Sequence, residues 1–289
     1  MTVTRRSFLS TTTAAACTAS LGVPPRAKMP RLSVQMYSIR EVFWKEPEKN
    51  LERLHAAGFD GIEFFQYGPS KDKWFTPKEL KKMLANAGMA ASGTHTAFGW
   101  KGDDLKKTLE FCSEAGFESL TCPWAMRKTA EEWTKLGEEM SLVAEDARKY
   151  GLPFSMHNHE QEFKLTYDGV TAWDCIYKNA SPLLLQQIDT CQVVHPGADL
   201  MAVLKKYRNR HHSIHAKENI PSPYGILGQP PTDGGKMVPW DEVLAYMATE
   251  PDFKWYVIEC ERVADTLMPC IESAKYLLPK IKAAYASCA

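Results

Sequence analysis

Short apolar runs alternate with longer amphipathic stretches along most of this chain. The runs are Leu32–Ile39, Gly61–Tyr67, Ala90–Thr96, Ser119–Ala125, Pro153–His159, Leu183–Thr190, His212–Glu218 and Trp255–Glu261. Compact apolar segments of this length, bounded by turn residues, read as buried strands. Between them, Leu105–Ala115, Ala130–Tyr150, Asp199–Tyr207 and Trp240–Ala248 are amphipathic, as core-facing helices are, and Cys270–Tyr285 reads as a last helix, kinked or broken at Pro279. A second regularity marks the joints. Ala57-Gly58, Ala87-Gly88, Ala115-Gly116 and Tyr150-Gly151 each stand just ahead of a run, and glycine past a helix end supplies the left-handed C-cap. The glycines are 30, 28 and 35 residues apart, the size of one strand plus one helix.

Eight such units, strand then helix, predict a single-domain α/β fold, the (β/α)8 TIM barrel. A doubly wound open sheet is the competing arrangement. It calls for a glycine-rich phosphate turn after its first strand, and Tyr37-Ser38-Ile39-Arg40 offers none.

Residues 1–29 break the pattern and are assigned to an export signal and linker, with the barrel over 30–289. Arg5-Arg6 is followed by Ser7-Phe8-Leu9, a weakly apolar Ser/Thr/Ala stretch and Pro24-Pro25. This resembles a twin-arginine signal, which carries folded proteins across a bacterial inner membrane and predicts a periplasmic location. Cys17 after three alanines faintly resembles a lipid-attachment site, though leucine is missing three residues before it. The 289 residues carry 35 basic and 35 acidic side chains, a net charge of zero that gives no electrostatic reason to expect nucleic acid as partner. No apolar run is long enough to span a bilayer. Eight cysteines without close pairing argue against a structural zinc site, and Cys122, Cys191 and Cys260 read as small buried thiols.

Chemistry gathers where the runs end. His157, Asp189, His215 and Glu259 stand at or beside the C-terminal ends of four separate runs. Parallel, ring-closed strands bring such ends to one face. Imidazole with carboxylate is a donor mix for one divalent ion such as zinc or manganese. His157 and His159, two positions apart, share a face. Either one suits the roles of metal ligand or of acid–base group near neutral pH, and spacing alone leaves their roles exchangeable. Lys217 shares the inward face of His215 and is placed to contact a hydroxyl or a developing oxyanion. Glu63 and His95 would line the opposite wall, and Trp124, Trp100 and Phe98 sit in loops on the same face, where aromatics stack on sugars. Glu162 is read as a carboxylate orienting an imidazole or as part of the next turn. His211-His212 precedes a strand and is read as surface, and the long loop Pro221–Pro239 is read as a lid.

The phrases His157–Phe163 (HNHEQEF), Asp189–Asp199 (DTCQVVHPGAD), Ser213–Glu218 (SIHAKE), Gly234–Trp240 (GGKMVPW) and Val257–Arg262 (VIECER) resemble, in order, the xylose-isomerase-like TIM-barrel proteins. Within them the chain looks most like the sugar phosphate isomerase/epimerase group, which includes ketose 3-epimerases and inosose dehydratases. The resemblance implies one divalent metal ion (Mn, Mg, Co or Zn) held by His157, Asp189, His215 and Glu259. It also implies a small-molecule sugar or keto-sugar as substrate, and relatives that commonly form dimers and tetramers. Catalytic roles are then expected of His159, Glu259 and Lys217, and substrate contacts of Glu63, His95, Trp124 and Gln192. Three departures bear on the reaction. His157 stands where ketose epimerases carry one of two glutamates, Gln192 where many relatives carry an aromatic, and Glu261 where the last strand often ends in Asp.

A metal-bound carbonyl stabilises the enolate left when a neighbouring carbon loses its proton. Return of the proton to carbon gives isomerisation or epimerisation, the leading expectation. Departure of a β-oxygen gives dehydration or cleavage of a 3-keto-glycoside, the lyase alternative, which the export signal and His157 favour. A metal-dependent apurinic-site nuclease is disfavoured by the neutral charge, and a non-catalytic sugar-binding barrel is the remaining alternative of a different class.

Overall fold

The computed structural model describes residues 28–66, 75–96, 102–219, 225–261 and 267–287. Eight parallel strands close into a barrel. They are β1 (Arg31–Gln35), β2 (Gly61–Phe65), β3 (Ala90–His95), β4 (Leu120–Cys122), β5 (Phe154–His157), β6 (Leu184–Asp189), β7 (His211–Ala216) and β8 (Trp255–Ile258). Each pairs with its sequence neighbours, and β1 pairs with β8 to complete the ring. The expected fold is therefore the observed one. The arginine pair, Cys17, Phe98 and Trp100 lie outside the described residues.

Eight helices return the chain between strands: α1 (Pro47–Ala56), α2 (Pro77–Asn86), α3 (Gly102–Ala115), α4 (Ala130–Lys149), α5 (Ala172–Tyr177), α6 (Leu200–Lys206), α7 (Trp240–Met247) and α8 (Leu267–Ser287). Thr76 and Thr129 start α2 and α4 with reciprocal capping boxes to Glu79 and Glu132, devices worth about 1 kcal/mol each. The four capping glycines of the repeat all take positive φ, as their spacing predicted. α8 continues through Pro279, so the last helix is not broken there. Among the described residues, no helix is long and apolar enough to cross a membrane.

Strand alternation divides the barrel into two environments. Leu32, Val34, Ile188, Ile214, Tyr256 and Ile258 are buried in the layer between strands and helices. Their neighbours Ser33, Gln35, Gln187, Ser213 and His215 bond across the barrel interior. The interior is thus unusually polar, and it is charged toward the C-terminal ends.

The expected strands overshoot at several ends. β1 stops at Gln35 because the Gln35 side chain accepts from the Tyr37 backbone N–H (3.1 Å) and caps a helix over Met36–Phe43. β4 spans only three residues, and β8 ends at Ile258. Lys217 and Glu259 sit one residue past their strands, where the Lys217 N–H donates to Thr190 Oγ1 (3.1 Å) and the Glu259 N–H to the Ala216 carbonyl (3.3 Å).

His211 and His212 also need correction. They do lie at the N-terminal end of β7, but both are buried, at 2% and 3% exposure. A register shift opposite Gln186/Gln187 inserts His212 as an extra residue in β7, and such a bulge re-aims side chains. His211 turns outward to the Leu204 carbonyl on α6 (3.0 Å).

Candidate active site

Asp189 and His215 are register partners on adjacent strands, so the pleat alone sets them side by side. His215 is fully buried and held from both sides. Its Nδ1 lies 2.6 Å from Glu259 Oε2 and its Nε2 lies 2.6 Å from Glu63 Oε2. Both partners are carboxylate acceptors, so the network assigns a proton to each nitrogen and a positive charge to the ring. Burial works against that charge, but the adjoining Glu63 and Glu259 carboxylates outweigh it and push the ring's pKa up to about 10. The carboxylates respond in kind. Burial raises Glu63, but His95 and His215 bring it below the usual range; burial raises Glu259 too, and Lys217 with His215 hold it well below.

Glu63 is the hub of the network rather than part of a distant wall. Besides His215 it accepts from Gln35 Nε2 (2.6 Å) and Gln187 Nε2 (2.6 Å). Gln187 also donates to Ser213 Oγ (2.9 Å), and its Oε1 faces His95 Nε2 at 2.6 Å. With both amide hydrogens of Gln187 committed, its oxygen accepts, and His95 carries its proton on Nε2. The His95 ring stacks on His215, 5.0 Å apart and 2° from parallel. Gln35 and Gln187 were not among the residues expected from sequence. The signal was present as an inward polar position two residues before Asp189 in Leu184–Asp189.

Lys217 is fully buried. Its Nζ lies 2.6 Å from Glu261 Oε1, with Asp189 Oδ2 and Glu259 Oε1 at 3.9 and 4.0 Å. Burial opposes its charge, but Glu259 and Asp189 outweigh burial and raise its pKa. Asp189 is pushed up to about 6 by burial, which prevails over the opposing pull of Lys217. Its Oδ1 accepts from the Gln192 backbone N–H (3.1 Å), capping the short helix Thr190–Val194, and Asn158 braces it through a bond from Asp189 N (2.9 Å). Gln192 is therefore tied in by its backbone.

His157 and His159 differ in setting. His157 is buried, with ring centroids 4.8 Å from His95 and 4.5 Å from His215. Burial, then the neighbouring His215 and His95, drive its pKa well down. His159 is half-buried at the edge, and burial takes it down to about 4 despite Glu259. That is lower than the near-neutral value expected of an acid–base imidazole. Among the described residues, Nδ1 of both rings has no hydrogen-bond partner. Glu162 does not touch the imidazole; it accepts from the His159 backbone N–H (2.8 Å) and so fixes the turn that presents the ring.

Ligand atoms within 4.8 Å of one another form two buried groups, His95/His157/His215 and Asp189/His215/Glu259. The four residues expected to share one ion thus divide between two groups that meet at His215. A buried imidazole–carboxylate set with an unpartnered His157 nitrogen fits a divalent ion. Coordination through His215 requires it to give up the proton and carboxylate contact on one nitrogen.

Trp124 is 56% exposed and lines a groove with Leu105 of α3 and Leu136 of α4, outside this cluster. The described part of the expected lid is tied down. Glu218 accepts from Val238 N (2.7 Å), Trp240 Nε1 (3.1 Å) and Gly228 N (3.3 Å), and Asn219 Nδ2 donates to the Lys236 carbonyl (2.7 Å). All six described cysteines are buried, as expected of Cys122, Cys191 and Cys260, and none is in a disulfide among the described residues.

Residues 51–280 match the family described as the xylose isomerase-like TIM barrel, and the chain belongs to that family. An inosose dehydratase of Bacillus thuringiensis (strain Al Hakam) is 26% identical over 147 residues, which is 46% of this chain and 49% of that protein. The chain thus spans about half the length of the curated relatives it matches. Among solved structures, a sugar phosphate isomerase/epimerase from Parabacteroides distasonis ATCC 8503 has a TM-score of 0.73 at 21% identity, over 91% of this chain and 99% of that one. An L-ribulose 3-epimerase has a TM-score of 0.66 at 14% identity, over 90% and 97%. These two likenesses are of fold.

Proposed function

We propose that the protein is a divalent-metal-dependent enzyme that removes a proton from carbon next to the carbonyl of a sugar or keto-sugar, with isomerisation or epimerisation as the outcome. The observation that carries this reading is the Glu63–His215–Glu259 chain beside buried Lys217, with two neutral imidazoles at its edge. His157, Asp189, His215 and Glu259 would hold the ion, which supplies Lewis-acid polarisation of the carbonyl. Lys217 carries a fixed positive charge in a site of low polarisability, where charge developing on oxygen is stabilised most. His159 is neutral at pH 7 and offers an unpartnered nitrogen, so it can accept a proton at the carbon or relay one to an oxygen. His95 and Gln192 are the proposed substrate contacts, whereas Trp124 lies in a groove outside the cluster. Glu63 acts through its charge on His215, because its oxygens are already engaged.

A second reading is elimination of a β-oxygen, as a dehydratase or lyase. It is favoured by His157 in the place of a second carboxylate base, and by the inosose dehydratase relatives. One base and one acid suffice for elimination, whereas epimerisation needs a base on each face. Incubation of metal-loaded protein with 2-keto and 3-keto sugars in heavy water separates the two. Deuterium retained on carbon supports isomerisation, loss of a leaving group supports elimination, and absence of both would contradict proton abstraction.

The proposed location is the periplasm, resting on Arg5-Arg6. Replacing the pair with Lys-Lys is expected to keep the protein in the cytoplasm, and continued export would contradict the assignment.

A further inference from the structure

Hydrogen-bond direction inside the barrel is fixed at one end by a backbone amide, which can only donate. The Tyr37 N–H gives its hydrogen to Gln35 Oε1 (3.1 Å), so the other end of that side-chain amide, Nε2, faces Glu63 Oε2 as a donor (2.6 Å). Gln35 is thus held one way round by the chain itself, at the cap of the helix Met36–Phe43. Glu63 Oε2 also accepts from His215 Nε2 (2.6 Å), and Glu63 Oε1 accepts from Gln187 Nε2 (2.6 Å).

Gln187 passes the direction on. Its Nε2 meets Glu63 Oε1 and Ser213 Oγ (2.9 Å), and its Oε1 meets His95 Nε2 (2.6 Å). Turned the other way, its oxygen would face a carboxylate oxygen at 2.6 Å with no hydrogen between them. Gln187 and Glu63 are both buried, so solvent does not relieve such a contact, and it is costly. His95 Nε2 therefore faces an acceptor and carries the ring's proton; Glu63 Oε2 stands farther off, at 3.3 Å. Burial outweighs the Glu63 carboxylate and holds the His95 pKa below the ordinary histidine value. What remains on the neutral ring is a lone pair on Nδ1.

We propose that Gln187, itself oriented by Gln35 through Glu63, is a positioning residue that selects the tautomer of His95. Which nitrogen of a neutral imidazole carries the proton is set by the hydrogen bond that the ring makes. His95 then meets the substrate only as an acceptor, through Nδ1. A sugar hydroxyl supplies the hydrogen that this contact needs, whereas a carbonyl oxygen has none to give, so His95 reads a hydroxyl. The hydroxyl contact rests on the sugar reading above; the tautomer does not.

The nitrogen resonances of His95 test this, in full-length protein labelled at histidine and kept free of paramagnetic ions, with the signals assigned by their loss in His95→Gln. The parent should show a protonated Nε2 and a bare Nδ1. Glu63→Gln should invert the pattern. The new amide oxygen must accept from Gln35 and His215, which leaves its NH2 toward Gln187; Gln187 then turns its oxygen to that NH2 and its own NH2 to His95 Nε2. Gln187→Met, which keeps the bulk and removes both donor and acceptor, should abolish the single tautomer. A parent with the proton on Nδ1 would overturn the proposal, as would a folded variant of either kind that keeps the parent's pattern. A variant that fails to fold leaves the other variant and the parent to decide. D-fructose added in excess should move the Nδ1 resonance of the parent and leave Nε2 in place. Movement of Nε2 instead would overturn the hydroxyl contact. No movement of either would overturn that contact together with a 2-keto sugar as ligand, while the tautomer stands or falls on the resonances without sugar.

Discussion

Glu63 and His215, 152 positions apart in the chain, meet inside the barrel through a 2.6 Å hydrogen bond from imidazole Nε2 to carboxylate Oε2. Two strands on different sides of the ring are thereby joined by charge at the level of the proposed metal ligands. Glu63→Gln keeps the shape but places an amide donor where donors already converge, and it strips a buried cation of one counter-charge. Breaking a buried pair in this way typically costs about 3–5 kcal/mol. Chemical denaturation of the variant should show a loss of that order. A change below about 0.5 kcal/mol, the scale of ordinary surface substitutions, would mean that the bond contributes little.

His159→Ala should lower turnover by roughly 100- to 10,000-fold, the usual effect of removing a positioned acid–base group. Metal content should be unchanged, because His159 belongs to neither group of candidate ligand atoms. Metal loss in this variant, with retention in His157→Ala, would reverse the roles of the two histidines. Steady-state kinetics beside elemental analysis reads both.

Glu162 gives a stability prediction with a definite sign. Burial raises its pKa from 4.5 to about 7 in the folded protein. Below pH 4.5 the carboxyl is protonated in both states. Between there and pH 7 the folded state binds more protons than the unfolded, so stability falls as pH rises, and above pH 7 the loss is complete. Glu162→Gln removes this dependence. Its unfolding free energy relative to the parent should therefore improve by about 2–3 kcal/mol between pH 4 and pH 8. A difference that stays constant across that interval would show that Glu162 is not perturbed.

Gly137 in α4 lies against α5 so closely that an added Cβ would stand 1.8 Å from the Ile176 carbonyl oxygen. That neighbour is backbone and cannot rotate away. Gly137→Ala gains helix propensity, roughly 1 kcal/mol, but it must separate two packed helices. Overpacking penalties of about 1–3 kcal/mol or more outweigh the gain. Thermal unfolding should show a lower Tm; an unchanged or higher Tm would mean that the helices part freely.

Much of the fold was legible because its signals are local. Apolar runs, helical amphipathicity and the glycines before the strands each need only a few neighbouring residues to be read. His157, Asp189 and His215 could be placed for the same reason, since a strand end is a local feature. What escaped was set at a distance. Gln187 and Gln35 matter through partners on other strands, and nothing beside them in sequence marks that. The roles of Glu63 and His95 were understated because their partners Gln35, Gln187 and His215 stand on other strands. A bulge in β7 buried His212, and strand periodicity carries no warning of an inserted residue. The fall of the His159 pKa to about 4 depends on burial by several elements together.

The most direct measurement is the divalent metal content of the purified protein beside its Asp189→Ala and His215→Ala variants. Asp189 and His215 sit at strand ends above the apolar layer, so both variants should remain folded barrels by circular dichroism. One ion per chain is expected in the parent, with loss of that ion in both variants. Full metal content in the two variants, or a parent that binds no divalent ion on titration, would contradict it.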